Sequence, residues 1–241
     1  MQTEGKVAEL ILVDGLPAAR ILCPPRLVPA PGQYLLAHAD GSDSPLADSV
    51  FIAKSFAGGF IAAPPAAASW IPGTRLHLRG PLGHGFTLPA SARRIALVSF
   101  DAQRTSAGDS PRRLLALLDT AFKQDASVTL VCENPPDDLP LQVEVQPMRT
   151  LADVCNWADY IACDTARESL SELRERLRNG SRSQVRAVAQ VLVRTPMPCG
   201  GLAECGVCAI EAHAALSLSK RGGYQLVCKD GPVFDLDQLM G

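Results

Sequence analysis

Four of the eight cysteines fall into one pattern: Cys199, Cys205, Cys208 and Cys228 are spaced C-x5-C-x2-C-x19-C. This puts three thiols on one loop punctuated by Gly200, Gly201 and Gly206, and brings the fourth from a distant stretch. Thiolates are soft metal ligands, and three clustered cysteines with one remote is close to the plant-type [2Fe-2S] spacing. Glycines let such a loop wrap closely and turn backbone N–H groups toward the negative charge it encloses. A four-cysteine zinc site is the competing reading, because zinc also accepts four thiolates. Zinc ribbons favour paired C-x2-C knuckles, and only one is present here, so the spacing favours iron–sulfur and single-electron chemistry. Unliganded thiols are the remaining alternative.

The elements that must hold these thiols divide the chain into three. From Lys6 to Arg79, short β-type runs (VAELILV, ARILC, QYLLAHA, SVFIAK, RLHLR) alternate with Pro, Gly, Asp and Ser, which predicts a small antiparallel β-barrel over 1–92. From 93 to 183 strands alternate with helices: IALVSF, the Pro-initiated helix PRRLLALLDTAF, VTLVC, LQVEV, DYIAC, and the helix ARESLSELRERLRNG closed by Asn179-Gly180. That alternation predicts an α/β unit with a mainly parallel sheet, nucleotide-binding in architecture, whose ligand site would lie at the carboxyl ends of its strands. Residues 184–241 form the third unit: after the strand-like VRAVAQVLVRT comes a Cys/Gly/Pro-rich tail too short for its own core, so a metal centre is expected to staple it.

Composition narrows the function. With 47% hydrophobic and 20% charged residues, the chain has material for more than one buried core, and its net charge of −2 without a basic run gives no footprint for nucleic acid. No apolar stretch is long enough to span a bilayer, since GFIAAPPAAASWIPG is broken by Pro64, Pro65 and Pro72. The start lacks a secretory signal, so the mature chain is expected to begin at Met1 and to be cytoplasmic, where thiols stay reduced and metal ligation is the natural use of clustered cysteines.

The tail MPCGGLAECGVC, followed by CKDGPVF, resembles the iron–sulfur domain of the electron-transfer subunit of B-type dihydroorotate dehydrogenase. Met197, Cys199, Gly200, Cys205, Cys208, Cys228, Asp230, Gly231, Pro232, Val233 and Phe234 carry the likeness. An extra residue between Cys199 and Cys205 and the long 209–227 excursion depart from it. More weakly, PGQYLLA at 31–37 and GPLGHGF at 80–86 resemble a strand and a turn of the ferredoxin-reductase-like family, so barrel, nucleotide-type domain and cluster tail come in that family's order. The resemblance implies four cluster ligands, FAD against the barrel with Gly80, Pro81, Leu82, Gly83 and His84 near it, and a dihydroorotate dehydrogenase-like flavoprotein partner in a hetero-oligomer serving pyrimidine biosynthesis.

The flavin and nicotinamide motifs of that family are eroded. Where it places an arginine for the FAD pyrophosphate, this chain has Asp48 and Ser49, and a carboxylate repels phosphate. The glycine-rich flavin segment has become GGFIAAPPAAASWIPGT, so FAD is allowed by the fold and poorly supported by residues. After IALVSF, Ser106, Gly108 and Pro111 can occupy G-x-G-x-x-P positions for a dinucleotide, with Asp109 beside the would-be phosphate and Arg112 and Arg113 to offset it. Cys163 survives from a Cys-Gly-Pro turn whose Gly and Pro are lost, and NAD(P)H use is disfavoured.

Cys23, Cys132 and Cys155 read as small core residues, and His38, His77 and His213 as structural histidines. His84 would be a turn residue without a flavin, and the charged helix at 166–178 a solvated face. No residue is nominated as catalytic. The leading expectation is a [2Fe-2S] electron-transfer subunit, not a self-sufficient enzyme. The alternatives are a structural or regulatory subunit with a metal-stapled tail, and a complete NAD(P)H-dependent flavin reductase.

Overall fold

The structure, a computed structural model, describes residues 2–102, 110–180, 187–212 and 223–239. Six antiparallel strands close a barrel in the order β1-β2-β5-β4-β3-β6: β1 (Gln2–Val13), β2 (Leu16–Leu22), β3 (Tyr34–Ala39), β4 (Asp48–Phe56), β5 (Gly59–Ala62) and β6 (Arg75–Leu82). The β1–β2 hairpin turns on Asp14-Gly15, both at positive φ, the two-residue turn whose twist matches the strands it joins. Val7, Ile21, Leu35, Ile52, Phe60, Leu76 and Leu78 fill the barrel from alternating strand positions. The small antiparallel barrel expected from the β-type runs is therefore present.

The second sheet holds β7 (Arg94–Phe100), β8 (Ser127–Val131), β9 (Val143–Gln146), β10 (Tyr160–Ala166) and β11 (Val188–Arg194) in parallel, and its order is β14-β11-β10-β7-β8-β9. β7 shows how it is built, because both faces are buried: Ile95 and Leu97 meet Leu114 of α1 (Arg112–Leu115), Ala121 of α2 (Leu118–Lys123) and Leu117 in the two-residue link between them. Ala96, Val98 and Phe100 share the opposite core with α3 (Leu151–Trp157) and α4 (Leu170–Gly180). Leu170, Leu173 and Leu177 are the buried stripe of α4, so the helix is solvated on its other side only.

Beyond β11 come β12 (Ala209–Ala212), β13 (Gly223–Leu226), α5 (Val227–Asp230), β14 (Val233–Asp235) and α6 (Leu236–Leu239). β14 pairs antiparallel with β11 and returns the chain to the sheet. Met197, Cys208, Ile210, Val227, Phe234 and Leu239 join the core that also holds Tyr34 and Leu36 of the barrel. The strand at 188–194, grouped with the tail by sequence division, is hydrogen-bonded into the α/β sheet, because its apolar run lies beside β10.

Arg112 ties the two larger units together. Its Nε lies 3.0 Å from Asp14 Oδ2 in the barrel hairpin and its Nη1 lies 3.1 Å from Asp138 Oδ2. The Arg112 and Asp14 side chains are only 15% and 20% exposed. Arg112→Ala is expected to lower stability by about 2 kcal/mol, less than a fully buried pair because water still reaches this one. It should also separate barrel and sheet unfolding, so calorimetry should show a broadened or split transition. An unchanged single transition would remove the latch role.

Candidate metal centre

The tail is a loop closed by a hairpin. After Arg194 the chain passes the buried Met197 and enters a turn in which Gly200, Gly201, Ala203 and Gly206 all take left-handed backbone conformations. Gly201 is required there: a Cβ on it would stand 2.7 Å from the Tyr34 hydroxyl. Bonds from Gly200 N–H to Met197 O (3.0 Å) and Leu202 N–H to Cys199 O (3.3 Å) hold the turn. β12 and β13 then pair from Ala209↔Leu226 to Ala212↔Gly223, so the 209–227 excursion becomes two hairpin arms. The arms return the chain to the loop, where Val227 N–H bonds Cys208 O at 3.1 Å and α5 presents Cys228.

The four thiols form two pairs. Cys199 and Cys205 are in side-chain hydrogen-bond contact, as are Cys208 and Cys228, with Cys199 in electrostatic reach of Cys228. The first pair lies toward solvent, with Cys199 partly exposed and Cys205 exposed, whereas Cys208 and Cys228 are buried. The N–H groups of Glu204, then Cys205, hold the Cys199 thiol down to about 6, the behaviour of a thiolate in a cradle of backbone donors. Burial, with Cys208 beside it, pushes Cys228 up to about 12. Among the described residues, no three His, Cys, Asp or Glu side chains converge as a single metal ion would require. A tetrahedral zinc needs four sulfurs at mutual distances of about 3.8 Å, given Zn–S bonds of about 2.3 Å. Two thiols at each end suit a binuclear centre with two cysteines per metal, and metal coordination deprotonates thiols whatever their free pKa.

The barrel supports this loop with two polar side chains. Tyr34 on β3 donates its hydroxyl to Cys228 O at 2.8 Å, and Arg79 on β6 donates to Gly200 O at 2.7 Å. Burial raises the Tyr34 hydroxyl to about 12, so it remains a donor. Asp230 accepts the Leu226 N–H at 2.8 Å and fixes the entry to α5.

The sequence-derived flavin candidates lie against the same tail. Gly80, Pro81 and Leu82 end β6, and Gly83 packs on the tail so closely that a Cβ would stand 2.5 Å from Gly231 O and Pro232 Cδ. His84 N–H bonds Gly231 O at 2.6 Å, and its Nδ1 lies 3.0 Å from Asp230 O. Asp48 opens β4, its carboxyl raised by partial burial, and it offers no positive charge to a pyrophosphate. Asp48 itself therefore supplies no anchor for the phosphate end of FAD. Pro111 is buried ahead of α1, whereas Gly108 and Ser106 lie outside the described residues, as does His213. Cys23, Cys132, Cys155 and Cys163 are buried. A cavity of about 490 Å³ on the barrel–sheet seam, lined by Ile52, Lys54, Leu115, Phe122 and Leu139 among others, contains none of the eight cysteines.

Tyr34 and Arg79 went unnoticed in the sequence. QYLLAHA and RLHLR read as barrel strands, and nothing local marks which of their side chains meets a loop more than a hundred residues away.

Residues 195–240 match the family model for the iron–sulfur cluster binding domain of dihydroorotate dehydrogenase B. A search of curated protein sequences returned no match. Among solved structures, the chain is similar to the ferredoxin reductase of carbazole 1,9a-dioxygenase at 15% identity, with a TM-score of 0.58 over 79% of this chain and 68% of that one. It is similar to phthalate dioxygenase reductase, described as a modular structure for electron transfer from pyridine nucleotides to [2Fe-2S], at 12% identity and a TM-score of 0.56 over 94% of each chain. A ferredoxin NADP+ reductase from Neisseria gonorrhoeae with bound FAD and NADP has 11% identity and a TM-score of 0.56, over 80% of this chain and 98% of that one. At these identities the structures establish a ferredoxin-reductase-like fold, and the family match is confined to the tail: residues 195–240 are similar to the iron–sulfur cluster binding domain of dihydroorotate dehydrogenase B.

Proposed function

We propose that the chain passes single electrons, through a [2Fe-2S] cluster held by Cys199, Cys205, Cys208 and Cys228, to or from a flavoprotein partner of the dihydroorotate dehydrogenase type in a hetero-oligomer. The observation that carries this reading is the division of four thiols, three on the loop and Cys228 on α5, into a buried pair and a solvent-facing pair. When bound, such a cluster supplies reversible one-electron chemistry without proton transfer by the protein. The chain's own task is to hold four thiolates, aim backbone N–H groups at them and exclude water from the inner pair. Leu202 and Val207, 55% and 42% exposed, flank Cys205 and give a partner an apolar surface at the outer edge of the loop.

Free cysteines throughout support a reducing, cytoplasmic location, and among the described residues no helix is long and apolar enough to cross a membrane. The functional division we propose keeps the barrel at 1–92, the sheet domain at 93–183 and the cluster domain at 184–241, with β11 shared structurally with the sheet.

Electron paramagnetic resonance on anaerobically purified protein tests the reading. A rhombic spin-half signal that appears with dithionite and is restored to silence by reoxidation is expected. Four cysteines binding zinc, with no iron and no signal, would leave a metal-stapled structural subunit instead.

A further inference from the structure

The barrel sends one cation to the metal-binding loop. Arg79 is partly buried, and its Nη2 hydrogen-bonds Gly200 O, the carbonyl directly after Cys199. The same nitrogen stands 3.6 Å from where a Cβ on Gly201 would be. Among the described residues, no carboxylate pairs with it. Tyr34 marks the meeting point, since its hydroxyl bonds Cys228 O and feels Arg79 together with Cys228, Cys208 and Cys199. Of the other charges near the loop, Glu204 and Lys229 are exposed, so solvent and salt screen them more than they screen Arg79; Asp230 is half-buried and accepts the Leu226 N–H, and Arg167, which donates to Val207 O, is already paired with Glu168 at 3.2 Å.

Resting on the cluster reading above, we infer that Arg79 sets the reduction potential of the centre, holding it higher than the loop alone would. Four thiolates around two irons carry net negative charge, and reduction adds one more. A fixed positive charge beside them stabilises the reduced state more than the oxidised one, and does so most where water is sparse. The guanidinium fork suits the role because it cannot lose its proton and its hydrogen bond to Gly200 keeps it in place. Arg79 acts on the centre through space and is not catalytic.

The test compares Arg79→Gln and Arg79→Met with wild type and Arg79→Lys, measuring iron and sulfide content and then the midpoint potential by mediator titration followed by electron paramagnetic resonance. Both neutral variants are expected to keep wild-type cluster content. Their equilibrium with a one-electron mediator should shift about threefold to tenfold toward the oxidised state, where tenfold corresponds to about 59 mV. Arg79→Lys should lie nearer wild type. An unchanged potential in a fully loaded neutral variant overturns the inference while leaving the cluster reading intact. Wild-type protein without iron overturns the cluster reading itself. If both neutral variants lose the cluster and Arg79→Lys keeps it, Arg79 is an assembly residue and the assignment of potential is wrong.

Discussion

Replacing Asp164 by asparagine is expected to destabilise the protein by about 3 to 5 kcal/mol, a loss typical of breaking a buried ion pair from one side. Asp164 lies within the buried run of β10 and is fully inaccessible. One oxygen accepts Arg113 Nε at 2.7 Å and the other accepts Arg194 Nε at 2.7 Å, and Arg194 also stands 3.6 Å from Asp101. The amide keeps the shape and removes the charge, so two guanidinium groups that are 7% and 17% exposed lose their shared counter-ion. For a chain of this length the melting temperature should fall by about 10 °C, followed by circular dichroism. Arg113→Met added to Asp164→Asn should recover part of the loss, because it removes one of the two buried charges that shared the carboxylate. A fall below about 1 kcal/mol would mean that the network is solvated and only incidental.

The same network bears on the nicotinamide question. β7 and β10 are neighbours whose connections leave toward opposite sides of the sheet, the switch point at which open α/β sheets bind ligands. There Arg113 and Arg194 already bind a carboxylate of the chain itself. A dinucleotide phosphate would have to compete with an internal ion pair made without loss of translational freedom.

The second large effect concerns the metal centre. Cys208→Ser is expected to reduce iron and sulfide content to about a tenth or less, while Cys205→Ser retains a measurable fraction. The asymmetry follows from position: Cys208 is 1% exposed, so a serine there would have to ionise far below its usual range inside an apolar core. Cys205 is exposed, and water or an added thiol can reach the position it leaves. Metal analysis of anaerobically purified variants checks this; equal retention, or the reverse order, would sink the division into inner and outer pairs. Removing the metal from wild type should loosen 197–212 and 223–230 in hydrogen exchange before it loosens the barrel, since metal binding contributes directly to folding of the segment that carries it. Protection should persist in Val233–Asp235, which is held by β11 rather than by the loop.

The order of these sensitivities reflects which parts of the protein were legible in the chain. The three-part layout was, because period-2 runs in the first part and strand–helix alternation in the second are local patterns that need no knowledge of distant residues. The candidate ligands were legible for the same reason: Cys199, Cys205 and Cys208 lie within ten residues, and the DGPVF segment marks the fourth. β11 is the instructive exception, since an apolar strand does not announce which sheet it will enter. Its place beside β10 follows from burial on both faces and from β14 covering its far edge.

By itself, the sequence determined that four cysteines share one glycine-rich setting behind a barrel and a parallel sheet. Only the tertiary structure decided that the thiols divide into a buried and an exposed pair, that Tyr34 reaches Cys228 across 194 positions, and that Arg79 reaches Gly200 across 121. Only the tertiary structure, likewise, set Asp164 between two arginines. Contacts of such separation are selected by how barrel, sheet and tail pack as bodies, and the energy of a buried charge or hydrogen bond depends on the dielectric that this packing creates.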